Sequence, residues 1–113
     1  MRVRVAGPAA SDLESILETS LERWGRVGRE RYESLLDAVI RMLELDALGP
    51  TTRALNHVRR GLRSLHTRAV RGTHGVKSPV HVFYYRLLDA DTVLVLRVLH
   101  ERQEATLHLD EEA

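Results

Sequence analysis

At the start of the chain Val3 and Val5 alternate with Arg2 and Arg4, the period of a short half-buried strand. Gly7-Pro8 ends it. The period then lengthens: Leu13, Ile16, Leu17, Leu21 and Trp24 recur at helical spacing and make one apolar face. Ser11, with Glu14 three residues on, reads as a capping box that satisfies otherwise unpaired first-turn amides. Gly25 to Gly28 predicts a break. A second stripe begins near Arg29 and runs through Tyr32, Leu35, Leu36, Val39, Ile40 and Leu43 to the stop signal Leu48-Gly49-Pro50. Two helices joined by so short a break predict an antiparallel hairpin.

After the polar stretch from Thr51 to Val58 the pattern changes again. Leu62, Ser64, Leu65, Thr67 and Val70 fit a strand bounded by Gly61 and Gly72, and Arg71 to Pro79 reads as a glycine-rich basic loop. Val80 to Arg86 is the clearest strand, β-branched and aromatic throughout. Asp89-Ala90-Asp91 turns it into a last strand, Thr92 to Leu99. Both of these strands are apolar at nearly every position, so both faces of the sheet must be covered. The helical hairpin can cover one, and a tail or partner the other. The expected order is β-α-α-β-β-β, an α+β fold with the hairpin packed on a mostly antiparallel sheet. The domain spans residues 2–109, and residues 110–113 are expected to be a frayed acidic C-terminal tail.

A length of 113 residues with 43% hydrophobic and 29% charged positions is enough for one domain with its own core, and excludes wholesale disorder. The absence of cysteine excludes disulfides and thiolate chemistry. The longest apolar run, Val93 to Leu96, is far too short to cross a bilayer, and the alternating N-terminus lacks a signal core. A cytoplasmic protein with no membrane association is expected. The net charge of +1 conceals a segregation: residues 58–88 carry 7 Lys or Arg and no Asp or Glu. Folded, such a segment can form a basic surface on an otherwise neutral protein.

No phosphate-binding glycine fingerprint, hydrolase signature or metal-ligand spacing is present. Gly72 and Gly75 lie between strands instead of before a helix, and the six histidines are scattered, so neither metal nor cofactor is expected. Metal-free phosphodiester chemistry would need a base, an acid and a cation to stabilise developing charge, for which His81, Tyr85 and Arg97 are candidates. His81, Phe83 and Tyr85 share one strand face because side chains alternate. The plainer reading makes His81 and Tyr85 ordinary sheet residues with polar ends at the rim.

The last strands bring in a resemblance. Val80-His81-Val82-Phe83-Tyr84-Tyr85-Arg86, then Leu96-Arg97-Val98-Leu99-His100, then Leu107-His108-Leu109, resemble the closing strands and ending of the ParE branch of the RelE/ParE toxin superfamily. The first helix, Ala10 to Gly25, is similar to that branch as well, and the likeness runs from Val3 to Leu109. The resemblance implies the toxin component of a bacterial type II toxin–antitoxin system. It implies inhibition of DNA gyrase without enzymatic activity, and neutralisation by a cognate ParD-like antitoxin in a hetero-oligomer. The alternative is a RelE-type, ribosome-dependent mRNA endonuclease, with the ribosome and mRNA as partners. The nuclease branch usually has Arg where this chain has His81, and a Tyr near the C-terminus where residues 101–113 have none. These departures favour gyrase. The target contact would use Arg68, Arg71, Arg97, His100 and Arg102. Trp24 reads first as a core residue closing the first helix; an exposed ring would instead anchor the antitoxin, together with Tyr32.

Overall fold

The computed structural model describes residues 1–109. Strand β1 (Arg2–Val5) leads into helix α1 (Gly7–Asp46), which is followed by β2 (Arg53–Ala54), β3 (Arg63–His66), a 3-10 turn (Thr67–Val70), β4 (His81–Asp89), β5 (Thr92–His100) and a short α2 (Ala105–His108). The sheet order is β1-β5-β4-β3-β2; β1 runs parallel to β5 and every other pair is antiparallel.

The two helical stripes are arms of one interrupted helix. Gly25 has φ 72° and ψ −170°, a backbone combination that essentially only glycine adopts. A straight helix of 40 residues would be about 60 Å long at 1.5 Å per residue, yet the molecule's longest extent is 38 Å. The chain must therefore double back at Gly25. Contacts along the sheet agree. Asp12 on the first arm meets Val98, while Tyr32, and then Ala47 just past the second arm's end, meet His81 and Tyr85 in turn along β4. The expected hairpin and α+β class are both present.

Four local expectations are corrected. The helix begins at Gly7, with Ala6 as its cap and Pro8 in the first turn, so the Ser11–Glu14 pair lies inside it and caps nothing. The second arm resumes at residue 26, not near Arg29. The expected strand through Val70 stops at His66, whose ring Nδ1 accepts the Arg68 amide and turns the chain into the 3-10 segment. A two-residue strand, β2, occupies the edge where only a polar stretch was expected.

The core has two layers. Leu35, Val39 and Leu43 of the second arm pack on Phe83, Tyr85, Val93 and Val95, on the sheet face that the hairpin covers. Val82, Tyr84, Leu96 and Leu99 face the other way and are covered by Leu55, Val58 and Leu62 of the 55–62 loop and by Ala105 and Leu109. The chain's own ending thus supplies the second cover. The expected tail at 110–113 lies outside the described residues.

Candidate functional site

The sheet has two chemically different ends, and the one formed by the start of β4 and the end of β5 gathers polar side chains. His81 and His100 face each other across these strands, their rings 5.8 Å apart and edge-on. Tyr32 of the second arm packs edge-on against His81 at 5.5 Å and hydrogen-bonds its Nδ1 at 2.5 Å. Burial first, and then the neighbouring His100 and His66, lower the His81 pKa from 6.5 to about 4. Burial likewise raises that of Tyr32. The imidazole is therefore neutral near pH 7 and the phenol keeps its proton.

Around this trio lies a second pair that sequence reasoning missed. His66 Nδ1 accepts the Arg68 amide at 2.9 Å, which leaves the proton on Nε2 to donate to Glu101 Oε1 at 2.8 Å. The His66 bond is the main reason that the Glu101 carboxyl sits below its ordinary pKa. His100 mirrors His66, its Nδ1 accepting the Arg102 amide at 3.1 Å. Both histidines serve as local turn caps, a role no spacing rule announces. Arg68, Arg71 and Arg102 are exposed and His100 is half-buried, so four of the five expected target contacts reach the surface.

Arg97 differs. Its Nε and Nη2 clasp Asp12 at 2.7 and 2.9 Å, and its Nη1 donates to the His108 carbonyl at 2.6 Å. Asp12 also accepts the Val98 amide at 2.9 Å. The reason is topological: β1 pairs with β5 only as far as Val95, and Asp12 supplies the acceptor that a longer β1 would have offered. A register shift between Tyr84 and Tyr85 leaves Leu96 unpaired just before Arg97, so the strand is bulged at the point where the guanidinium turns toward the helix.

The three nuclease candidates do not converge. Tyr85 lies four residues along β4 from His81, about 13 Å away at strand rise. Its hydroxyl is not at the rim: the side chain is fully buried and donates to the Ala47 carbonyl at 2.6 Å. His81 is occupied by Tyr32, and Arg97 by Asp12. Among the described residues no three His, Asp or Glu side chains are grouped to hold a metal ion, and no helix is long and apolar enough to cross a membrane.

A groove of about 900 Å³ runs from the His81–His100 pair to the bend of α1, between the hairpin and the 71–80 loop. Trp24 stands on its wall 62% exposed, with Val27 also exposed beside it. The core reading of Trp24 is therefore wrong. Leu13, Ile16 and Leu17 of the same stripe pack on the core, but Leu21, Trp24 and Val27 nearer the bend are exposed. Tyr32 is buried and reaches the groove only as part of its wall. Arg23, Arg31 and Lys77 line the groove, and among the described residues no carboxylate does.

A family model described as the ParE toxin of type II toxin-antitoxin system, parDE, matches residues 3–105. Toxin ParE1 of Mycobacterium tuberculosis (strain CDC 1551 / Oshkosh) is 28% identical over 109 residues, covering 96% of this chain and 97% of the relative. Toxin ParE1 of strain ATCC 25618 / H37Rv matches to the same extent. A solved structure described as the chromosomal ParDE TA system from P. aeruginosa has a TM-score of 0.67 at 16% identity, covering 88% of this chain and 95% of that one, a likeness of fold. With the family's pattern matched across residues 3–105, the chain belongs to the ParE toxin family of type II toxin–antitoxin systems.

Proposed function

We propose that this ParE-type toxin arrests growth by binding DNA gyrase, without catalysis of its own, and is held inactive by a cognate ParD-like antitoxin. The observation that carries the choice of target is the dispersal of His81, Tyr85 and Arg97, each engaged with a different part of the fold. An RNase of this size needs base, acid and cation around one phosphate. A binding toxin needs only an accessible surface, and Arg68, Arg71, His100 and Arg102 offer one at the end of the sheet.

The groove beside Trp24 suits the antitoxin. Apolar wall and unopposed cations favour a segment that is apolar on one side and acidic on the other, ordering as it binds. An exposed tryptophan is the residue type that dominates such contacts, so Trp24→Ala is expected to weaken the antitoxin by about 2 kcal/mol or more, some thirtyfold. An unchanged dissociation constant by calorimetry would remove Trp24 from the interface.

The experiment for the target is supercoiling and cleavage by purified gyrase in the presence of the purified protein. Inhibition with trapped cleaved DNA supports the proposal. Untouched gyrase, with codon-phased mRNA cleavage in primer extension, would transfer the assignment to the ribosome.

A further inference from the structure

The basic segment that stands out in the sequence is divided by the fold. Arg68, Arg71 and Lys77 go to the end of the sheet already described, whereas Arg60, Arg63 and Arg86 go to the other. Arg86 lies five residues along β4 from His81, about 16 Å away. There the three arginines line a pocket of about 360 Å³ together with Asn56, Leu62 and Leu87. We infer that this pocket is a binding site for the phosphodiester backbone of nucleic acid, separate from the gyrase and antitoxin surfaces.

Three observations support it. First, the charge is unopposed: among the described residues no carboxylate lies within ion-pair distance of Arg60, Arg63 or Arg86, and none lines the pocket. Arg60 and Arg86 can therefore give a phosphate charge-assisted hydrogen bonds without first breaking an ion pair among the described residues. Second, Arg63 is positioned. It is half-buried, Nη2 donates to Thr52 Oγ1 at 2.6 Å, and its buried Nε has no hydrogen-bond partner among the described residues. Among the described residues there is neither a carboxylate within ion-pair distance of its charge nor an acceptor for that nitrogen.

Third, the rim is stiff. Asn56 Oδ1 accepts the Gly61 amide at 2.9 Å, the Leu55 amide donates to the Leu62 carbonyl at 2.8 Å, and the Leu62 amide to the Arg59 carbonyl at 3.0 Å. Leu55 and Leu62 are buried beneath it. This architecture selects the source of the phosphate. A free phosphate or nucleotide is usually held in a concave nest of backbone amides, but the Leu55, Gly61 and Leu62 amides are used within the loop. What remains are long side chains from three separate elements around an open pocket, the arrangement that grips a polymer backbone without reading sequence.

The test uses the full chain, no gyrase, and a short fluorescein-labelled DNA duplex in an anisotropy titration over a range of salt. The duplex is expected to bind with a log–log salt slope that the Arg60→Gln/Arg86→Gln double variant lowers by about 2, since each phosphate contact contributes about 0.9. Affinity at low salt should drop at least tenfold. Arg63 is left alone because its burial and its bond to Thr52, just ahead of β2, give it a structural part. Should the double variant melt early, Arg60→Gln alone, at an exposed side chain, is expected to lower the slope by about 1. Arg26→Gln/Arg41→Gln, exposed on the second arm of α1 and lining neither pocket, removes the same charge and should leave the slope nearly unchanged. An equal loss in that control would reduce the effect to net charge and overturn the proposal. So would an undiminished slope in the pocket variants, or a pocket that inorganic phosphate occupies while the duplex does not bind. Because no gyrase is present, these outcomes are independent of the target assignment.

Discussion

Asp12 joins the first arm of α1 to β5, and its replacement tests whether that link holds the domain together. The carboxylate receives two guanidinium bonds from Arg97 and the Val98 amide, with 15% of the Asp12 side chain and 23% of that of Arg97 exposed. Asp12→Ala removes two guanidinium bonds from a half-buried cation and the acceptor of a strand amide. A charged hydrogen bond contributes about 1.5–3 kcal/mol, and breaking a fully buried pair costs about 3–5 kcal/mol. Partial exposure reduces the latter, so a loss of about 2–4 kcal/mol is expected for Asp12→Ala. For a domain near this size that is a drop in Tm on the order of 10–20 °C. Asp12→Asn keeps an oxygen for the Val98 amide and should lose about half as much. Urea unfolding of the parent, Asp12→Ala, Arg97→Ala and the double variant gives a cycle whose coupling should reach about 1–2 kcal/mol. A coupling near zero, or a loss below about 0.5 kcal/mol for Asp12→Ala, would refute the reasoning and return Arg97 to the pool of side chains available to a target.

His81 predicts an acid limit to stability. The folded state disfavours the protonated ring, so the contribution is complete above the unfolded value near 6.5 and is lost as pH falls from there to about 4. At 1.36 kcal/mol per pKa unit this amounts to about 3–3.5 kcal/mol; melting profiles of the parent and His81→Gln should converge across that window, and parallel profiles would contradict it. Tyr85→Phe should cost about 1–2 kcal/mol in chemical denaturation, by orphaning the Ala47 carbonyl, while leaving growth arrest intact. Loss of toxicity in a folded Tyr85→Phe protein would restore the nuclease reading. Gly25→Ala meets no atom within 4 Å of the new Cβ, so its expected cost of about 1–3 kcal/mol comes from backbone conformation alone. An unchanged midpoint would mean that the bend does not need its positive φ.

The parts of this fold legible in the sequence are those with a period. The two helical stripes, the break at Gly25 and the apolar strands β4 and β5 are regular patterns, because each covers one continuous surface of the core. What escaped is set by partners far along the chain. Asp12 is one acid among many on a helix, and its meaning depends on Arg97, 85 positions away. β2 has no pattern because two residues cannot show one, and only its pairing with Ser64 and Arg63 makes it a strand. Ser11–Glu14 misled because a local capping signal was overridden by Pro8, which starts the helix earlier. Trp24 misled for a related reason: the apolar stripe continues beyond the sheet it was expected to cover. At the candidate site the sequence singled out Arg68, His100 and Arg102 for the surface. It offered no sign that His66 and Glu101 would pair between them.

The parallel pairing of β1 with β5 has a consequence for how the protein is made. Arg2 lies beside Thr92, so the first strand synthesised has no neighbour until the last one emerges. The hairpin can form early from local contacts, but its apolar faces then have no sheet to rest on. A ribosome that has completed all but β5 therefore carries a chain with neither the strand that joins β1 to the sheet nor the arginine that clasps Asp12. The closed fold, and every surface built on it, therefore exists only once β5 is in place. A partner already waiting in the cell meets each new copy as its fold closes, with no earlier folded form to intercept.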